Sequence, residues 1–246
     1  MTPVLLPLGA LLAASVLAAP MAGAAPQADR PASAPSGWEK VDGAELAEIT
    51  KDSDATKQAP LAEGKASARA AEPDVWAFAS RYNGRFVATE KSYAAPNTGV
   101  LRARSAEFGG SWEEYELEWD DATETYALKS HANDRYVTVE QNYTGNTQNV
   151  LRARSTSAGG WERFVLWYDE TDDKWALQSA SNGLFVTMEN NTTGKLQYVL
   201  RARSASVGGW ESFDLYSVRR TAPAPPTPPG GGGGGGPARG GARWRG

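Results

Sequence analysis

The chain has 246 residues, a formal net charge of −4 and no cysteine. The acidic balance argues against a nucleic-acid binder, because such proteins use a basic excess to displace counterions. The lack of cysteine excludes disulfides, zinc–thiolate sites and thiol nucleophiles. The single histidine, His131, disfavours a Ser-His-Asp triad or a His-rich metal site. Composition therefore indicates an aromatic-rich protein with few of the residue types that catalysis commonly uses. We expect no cofactor and no metal.

The N-terminus begins with an apolar run at residues 4–19 that contains no charged residue. A run of this length is too short to favour a membrane span. The small residues Ala22-Gly23-Ala24 follow, which is the pattern of a secretory signal peptide. We predict a signal peptide over residues 1–24 and a secreted, extracellular protein with no membrane span in its mature form. An uncleaved anchor is the alternative, because no Lys or Arg precedes the run.

Two flanking segments have the composition of unfolded chain. Residues 25–74 are rich in Ala, Pro, Lys, Glu and Asp and contain few apolar anchors, which predicts a mostly disordered spacer. Within it, residues 44–49 favour a short helix, and Trp38 is a candidate for docking. From residue 221 a Pro-rich stretch and seven consecutive glycines predict a disordered tail over 221–246.

The middle of the chain consists of three copies of one unit. The string VLRARS occurs unchanged at residues 100–105, 150–155 and 199–204, and an Asn, a Gly-Gly pair and a Trp-Glu pair recur around it in register. The copies are expected at residues 75–125, 126–174 and 175–220. Because no copy of this size buries a core alone, we predict a single domain over residues 75–220.

Each copy contains four short β-like runs separated by Gly, Asn and Asp clusters, and no helical period. Three four-stranded units are too few to close a propeller. The closed alternative is an all-β fold, a single β-trefoil, in which a six-stranded barrel is capped by three hairpins.

The two middle strands of the second copy have a predictable register. Alternation predicts that the buried face holds Val137, Val139, Leu151 and Ala153. On the outer face the same pairing sets Tyr136 beside Arg154, and the equivalent rule sets Phe86 beside Arg104. We expect these neighbours to make cation–π contacts.

The strings YALKSHANDRYVTVE, LRARS and GGWERFVL resemble a repeat of the fascin-like, actin-cross-linking type of β-trefoil. The resemblance covers residues 75–220 and implies a binding domain without catalysis. Eukaryotic fascins use four such domains to bundle actin, whereas single fascin-like trefoils of secreted bacterial proteins are similar to carbohydrate-binding modules. The chain has one trefoil, so actin bundling does not transfer, and it lacks the Gln-x-Trp of ricin-type sugar pockets.

The recurring Trp-Glu pair is the first candidate ligand site. An aromatic face stacks on the C–H face of a sugar ring while a carboxylate accepts hydroxyl hydrogen bonds. The structural alternative is that the Trp plugs the barrel and the Glu binds loop amides. The candidates are Trp112, Glu113, Trp161, Glu162, Trp210 and Glu211.

Further candidates lie on the hairpins and their nine-residue loops. Arginines donate hydrogen bonds to sugars or pack on the surface, and a glutamate at the loop mouth binds ligand or pairs with an arginine. Loop Tyr and Asn residues suit hydroxyl recognition, but they are also ordinary turn residues. The candidates of this group are Glu90, Glu140, Glu189, Arg102, Arg152, Arg201, Tyr93, Tyr143, Asn142 and Asn191.

Neither calcium binding nor catalysis is predicted. The acidic turns at 120–125 and 169–173 lack EF-hand spacing, and His131 has no counterpart in the other copies and is expected at the surface. A glycosidase needs two carboxylates in different environments, whereas repetition makes these carboxylates equivalent.

The sequence therefore predicts a secreted, monomeric, non-catalytic carbohydrate-binding module. We expect it to bind a polysaccharide such as a glucan, or an oligosaccharide, through up to three equivalent sites about 120° apart. The alternative is a protein-binding trefoil, such as an adhesin or a filament binder.

Overall fold

The computed structural model describes residues 34–51, 57–58 and 75–218. The predicted signal peptide (1–24), the tail (221–246) and much of the spacer lie outside the described residues. The described elements are β1 (Glu39–Val41), α1 (Gly43–Lys51), β2 (Lys57–Gln58), β3 (Val75–Ser80), β4 (Phe86–Glu90), β5 (Val100–Ser105), β6 (Tyr115–Asp120), β7 (Thr125–Ser130), β8 (Arg135–Val139), β9 (Leu151–Ser155), β10 (Arg163–Asp169), β11 (Lys174–Ser179), β12 (Phe185–Met188), β13 (Leu200–Ser204) and β14 (Phe213–Ser217). Within this part of the chain, no helix has the length and apolar character needed to cross a membrane.

Six strands pair into a closed antiparallel ring. Their order is β3, β6, β7, β10, β11 and β14, and β14 pairs back onto β3. These are the first and fourth strands of the three predicted copies. Closure leaves the barrel without a free edge, which is how antiparallel barrels avoid edge-to-edge association.

The other repeat strands form three hairpins, β4–β5, β8–β9 and β12–β13. Each hairpin comes directly after the first barrel strand of its repeat, and the three hairpins meet at one axis. The contacts between them pair Val100 with Arg152, Val150 with Arg201, and Val199 with Arg102. A six-stranded barrel capped by three converging hairpins is the arrangement of a β-trefoil, so the predicted all-β fold agrees with these pairings.

The buried face of the cap hairpins is the one that alternation predicts. Leu151 pairs with Val139 and Ala153 pairs with Val137, and all four side chains are buried in the core of the barrel. The register of these four residues is therefore confirmed.

A β-bulge shifts the outer end of each hairpin by one residue. Tyr136 faces Ser155 instead of Arg154, and Phe86 faces Ser105 instead of Arg104. The expected pairing of these aromatic residues with arginine is therefore wrong. A bulge places two residues of one strand opposite one of its partner, and alternation within a single strand does not reveal it.

Residues 39–51 are a folded part of the segment predicted to be mostly disordered, and the short helix expected at 44–49 lies within α1. β1 pairs with β10, and Asp42 caps α1 through an Oδ1 that accepts from the amides of Ala44 and Glu45 at 2.8 Å. Val41 and Leu46 are 2% and 5% exposed and belong to the barrel core. The sequence favours the helix but does not show where the segment packs, because the barrel supplies the apolar surface that Val41 and Leu46 contact.

Replacing Leu151 with Ala should lower the free energy of unfolding by about 2–5 kcal/mol, because the change removes apolar contacts and leaves a cavity in the core. Denaturant unfolding measures the loss. The control is Thr156→Ala on the exposed turn that follows β9, which should change the stability by less than about 0.5 kcal/mol. Equal stability of the two variants would contradict the packing described above.

Candidate functional site

Each repeat contains a buried glutamate held between two arginines. In the second repeat, Glu140 is buried at the mouth of the hairpin loop. Its Oε1 lies 3.5 Å from Arg152 Nη1 and also accepts a hydrogen bond from Arg154 Nε. The first repeat places Glu90 between Arg102 and Arg104, and the third places Glu189 between Arg201 and Arg203. The structure thus brings the predicted glutamates and arginines together, as pairs within the protein.

The first arginine of each cluster also joins its repeat to the preceding loop around the axis. Arg201 Nε donates to Gln148 O at 2.8 Å, and Arg102 Nε donates to Gln197 O at 2.7 Å. Arg152 Nε completes the circle by donating to Thr98 O. Each repeat is therefore bonded to its neighbour through a side chain that its own glutamate orients.

The glutamates of the Trp-Glu pairs face inward. Glu162 Oε1 accepts from the Thr138 hydroxyl at 2.7 Å, and its Oε2 accepts from the amide of Gly159 at 2.9 Å. Glu211 makes the equivalent contacts with Thr187 and Gly208. These carboxylates tie the Gly-Gly loop to the hairpin, as the structural alternative describes.

Glu113 shows how the first repeat varies this scheme. Ala88 occupies the position of the two threonines, so the donor to Glu113 Oε1 is the Ser105 hydroxyl at 2.7 Å. The amide of Gly109 donates to Oε2 at the longer distance of 3.3 Å. Burial raises the pKa of Glu113.

The three tryptophans of the Trp-Glu pairs are half-buried, and two of them have visibly different surroundings. Trp112 lies beneath two cations, Lys91 Nζ at 5.4 Å and Arg104 at 5.7 Å from the ring centroid. Trp210 instead makes an edge-to-face contact with Tyr82, with ring centroids 5.8 Å apart. The rings of Trp112 and Trp210 therefore have different neighbours, cations in one repeat and an aromatic ring in the other.

Tyr82 lines a groove to which all three repeats and the segment before them contribute. It is 50% exposed and is the exposed large hydrophobic residue of the described chain. The groove has a volume of about 630 Å³ and is lined by Trp38, Arg81, Tyr82, Asp172, Lys174, residues 207–209 and Ser212. We call these residues the aromatic groove.

The polar side chains of the aromatic groove are held in place. Arg81 Nη1 donates to the carbonyl oxygens of Asp172 and Asp173 at 2.7 and 2.9 Å. Lys174 Nζ pairs with the Asp172 carboxylate at 2.5 Å and lies 5.4 Å from the Trp38 ring centroid. The docked N-terminal segment thereby contributes an aromatic side chain to the groove.

Sequence reasoning did not select Tyr82, Arg81 or Trp38 as site residues. The available signal was divergence between copies, because the residue before the recurring Asn is Tyr82 in the first copy but Ala132 and Ser181 in the others. Recurrence between copies favours residues that build the frame, so it does not point to Tyr82.

The predicted loop residues divide into two groups. The hydroxyls of Tyr93 and Tyr143 accept from Nη1 of Arg102 and Arg152, at 2.5 and 2.8 Å, so both tyrosines belong to the arginine clusters. Asn142 is exposed. Asn191 is exposed and lines a separate pocket in the third repeat.

His131 is not the surface residue that the sequence suggests. Its side chain is 18% exposed, with Nδ1 3.2 Å from Glu114 Oε2 and Nε2 2.7 Å from Glu116 Oε1. The hydrogen bond to Glu114 raises the pKa of His131. Across the described ranges, no group of three or more His, Cys, Asp or Glu side chains is arranged to hold a metal ion.

The chain matches no protein-family model and no curated protein, but solved structures match it. The designed threefold-symmetric protein ThreeFoil is 20% identical with a TM-score of 0.48, and the match covers 58% of this chain and 97% of that protein. A mosquitocidal holotoxin is 10% identical with a TM-score of 0.50, covering 61% of this chain and 18% of the toxin. A lectin of Polyporus squamosus is 14% identical with a TM-score of 0.46, covering 59% of this chain and 50% of the lectin.

These likenesses concern the fold alone, because the identities are 20% or less. The matched region is under a fifth of the holotoxin and half of the lectin.

Replacing Glu140 with Gln should lower the free energy of unfolding by about 3 kcal/mol, because it leaves two guanidinium groups without their counter-charge. Chemical denaturation measures the effect. The control is Glu170→Gln at an exposed turn, for which we expect a change below about 0.5 kcal/mol. An E140Q protein of unchanged stability that fails to bind sugar would show that Glu140 acts on ligand instead.

His131 should make stability depend on pH. Because its pKa is raised on folding, the protonated imidazole stabilises the fold fully below its unfolded pKa of about 6.5, and this contribution disappears as the pH rises through the folded pKa. The free energy of unfolding of wild type should therefore exceed that of His131→Gln by more at about pH 5 than at about pH 8. Thermal unfolding across this range measures the difference, and parallel pH profiles of the two proteins would contradict it.

Proposed function

We propose that the protein is a non-catalytic carbohydrate-binding domain whose principal site is the aromatic groove. The observation that carries this proposal is the exposed Tyr82 ring, supported by Trp210 and set beside a groove with fixed polar groups. Small-ligand sites combine apolar or aromatic walls with a few well-placed polar side chains.

The chemistry of the groove suits a sugar. The tyrosine ring offers an apolar face to the C–H face of a pyranose, and its hydroxyl, which accepts from Asn190 Nδ2 at 3.3 Å, can still donate to a ligand. The Asp172 carboxylate accepts hydrogen bonds, while Arg81 and Lys174 donate them. Because contacts with the backbone and with Asp172 already hold both cations, binding would require little additional ordering.

The placement of the carboxylates supports a binding role over catalysis. The recurring glutamates are buried and engaged with arginines, hydroxyl groups and loop amides. Glycoside hydrolysis needs one carboxyl group as an acid and another as a base or nucleophile, both facing the scissile bond. The three copies repeat one structural arrangement instead of forming such a pair.

Several finer features belong to the same proposal. We propose that the protein is of the fascin-like trefoil type, acts as a monomer outside the cell and binds a polysaccharide such as a glucan. The apolar run at 4–19 with its small-residue flank supports export. Trp112 and Trp161 occupy the equivalent positions of the other repeats and would act as weaker auxiliary sites, so that up to three contacts add avidity on a polymer.

The test replaces Tyr82 with Ala and measures binding to soluble oligosaccharides by calorimetry and to insoluble glucans by retention. We expect wild-type dissociation constants of about 0.1–1 mM and an affinity about tenfold weaker for Tyr82→Ala. Because the side chain is half exposed, the variant should unfold within about 0.5 kcal/mol of wild type.

Ser181→Ala is the matched control, since Ser181 occupies the register position of Tyr82 in another repeat. Its affinity should remain unchanged. A folded Y82A protein that binds as tightly as wild type would move the site elsewhere. Folded wild-type protein that passes through every glycan column would favour the alternative of a protein-binding trefoil.

A further inference from the structure

The loop of the third repeat lacks a side chain that the other two share. Tyr93 and Tyr143 occupy the third position of their nine-residue loops, and Thr192 occupies it in the third repeat. The Thr192 hydroxyl lies 2.6 Å from Leu196 O and 3.1 Å from Glu189 O, so it donates to the backbone. It therefore does not replace the phenol hydroxyl that accepts from an arginine in the other repeats.

The missing ring leaves an open pocket of about 330 Å³ above the third arginine cluster. The residues that line it include Glu189, Arg201, Arg203, Asn191 and Leu196. The volume lies within the range of about 300–1,000 Å³ that is common for small-molecule sites. We call this space the third-repeat pocket.

Glu189 lacks a contact that its counterparts make. In the first repeat, Glu90 Oε1 accepts hydrogen bonds from both arginines of its cluster. Glu189 is 3% exposed, and its Oε2 accepts from Arg203 Nη2 at 3.2 Å. Its Oε1 lies against Arg203 Nε, so that ion pair is kept, but Arg201 Nη1 is 3.7 Å away, whereas Arg102 Nη1 lies 3.0 Å from Glu90 Oε1 in the first repeat.

The arginine side of the pocket is also less well satisfied than in the other repeats. Arg201 donates to the carbonyl oxygens of Gln148 and Gly145. Arg152, in contrast, donates both to the carbonyl oxygen of Thr98 and, at 2.8 Å, to the phenol of Tyr143. Burial lowers the pKa of Arg201. A ligand that accepts a hydrogen bond from this guanidinium would restore the missing interaction.

The two groups together define the chemistry of the ligand. A ligand group that accepts from Arg201 lies beside the Glu189 carboxylate, so it should also be able to donate, and a hydroxyl does both. A carboxylate accepts but cannot donate, and an ammonium donates but cannot accept. Leu196 adds an apolar side chain to the lining, and the amides of Asn146 and Asn191 can meet further hydroxyls, which together suit a sugar ring.

We propose that the third-repeat pocket binds a neutral pyranose, with one sugar hydroxyl between Arg201 and Glu189. This pocket and the aromatic groove have no lining residue in common, although the amide of Asn190, next to Asn191, donates to the Tyr82 hydroxyl at 3.3 Å.

The test fills the pocket with the side chain that the other repeats carry. Amide NMR spectra of wild type and Thr192→Tyr are recorded during titration with methyl glucoside, methyl galactoside, galacturonate and 4-methylphenol. We expect a neutral glycoside to shift the Asn191 and Thr192 signals of wild type, and affinity at this pocket to fall at least about tenfold in Thr192→Tyr. The variant should melt no earlier than wild type, because the phenol restores the hydrogen bond to Arg201.

Two further variants separate this site from the principal one. Tyr82→Ala should leave the pocket affinity within about twofold of wild type, so failure of the groove proposal leaves this test intact. Tyr143→Thr should open an equivalent pocket in the second repeat and add a new set of shifts there. Absence of pocket shifts up to about 10 mM of both neutral glycosides overturns the proposal. So does tighter binding of galacturonate or 4-methylphenol than of either glycoside, because the pocket would then select an anion or a phenol.

Discussion

The fold depends on an arginine that a buried glutamate holds in place. In every repeat this arginine donates to a loop carbonyl of the repeat before it, as Arg201 does to Gln148. The three contacts close a circle around the axis of the cap, where Val100, Val150 and Val199 form a small apolar cluster. A buried charge without its partner is strongly destabilising. The clusters therefore select the one arrangement in which all three repeats are joined.

This constraint explains why one hexapeptide recurs unchanged. In the second copy, Val150 packs at the axis and Leu151 in the core, while Arg152 and Arg154 share Glu140. Ala153 is buried against the neighbouring loop, and its amide donates to Gly99 O at 2.8 Å. Five of the six letters thus have a structural task that is repeated three times, and recurrence here reflects the frame.

Divergence between the copies marks the places where ligands are proposed. Tyr82 replaces small residues of the other copies and creates an aromatic edge, and Thr192 replaces a tyrosine and opens a pocket. Both changes lie in turns or loops that a rigid scaffold positions, where substitution costs little stability and alters recognition directly. A symmetric frame with unsymmetric loops therefore yields sites of different character from one repeated design.

The sequence by itself determined the three copies, their β character and the buried face of the cap hairpins, because side chains alternate with a period of two along a strand. It did not reveal the bulge, the pairing of β1 with β10 or the aromatic groove, and it left open whether Glu162 faces inward. The tertiary structure alone decided these features, since the contacts that create them join distant parts of the chain. Arg102 and Gln197 are 95 residues apart in the sequence, and no local pattern records that they meet.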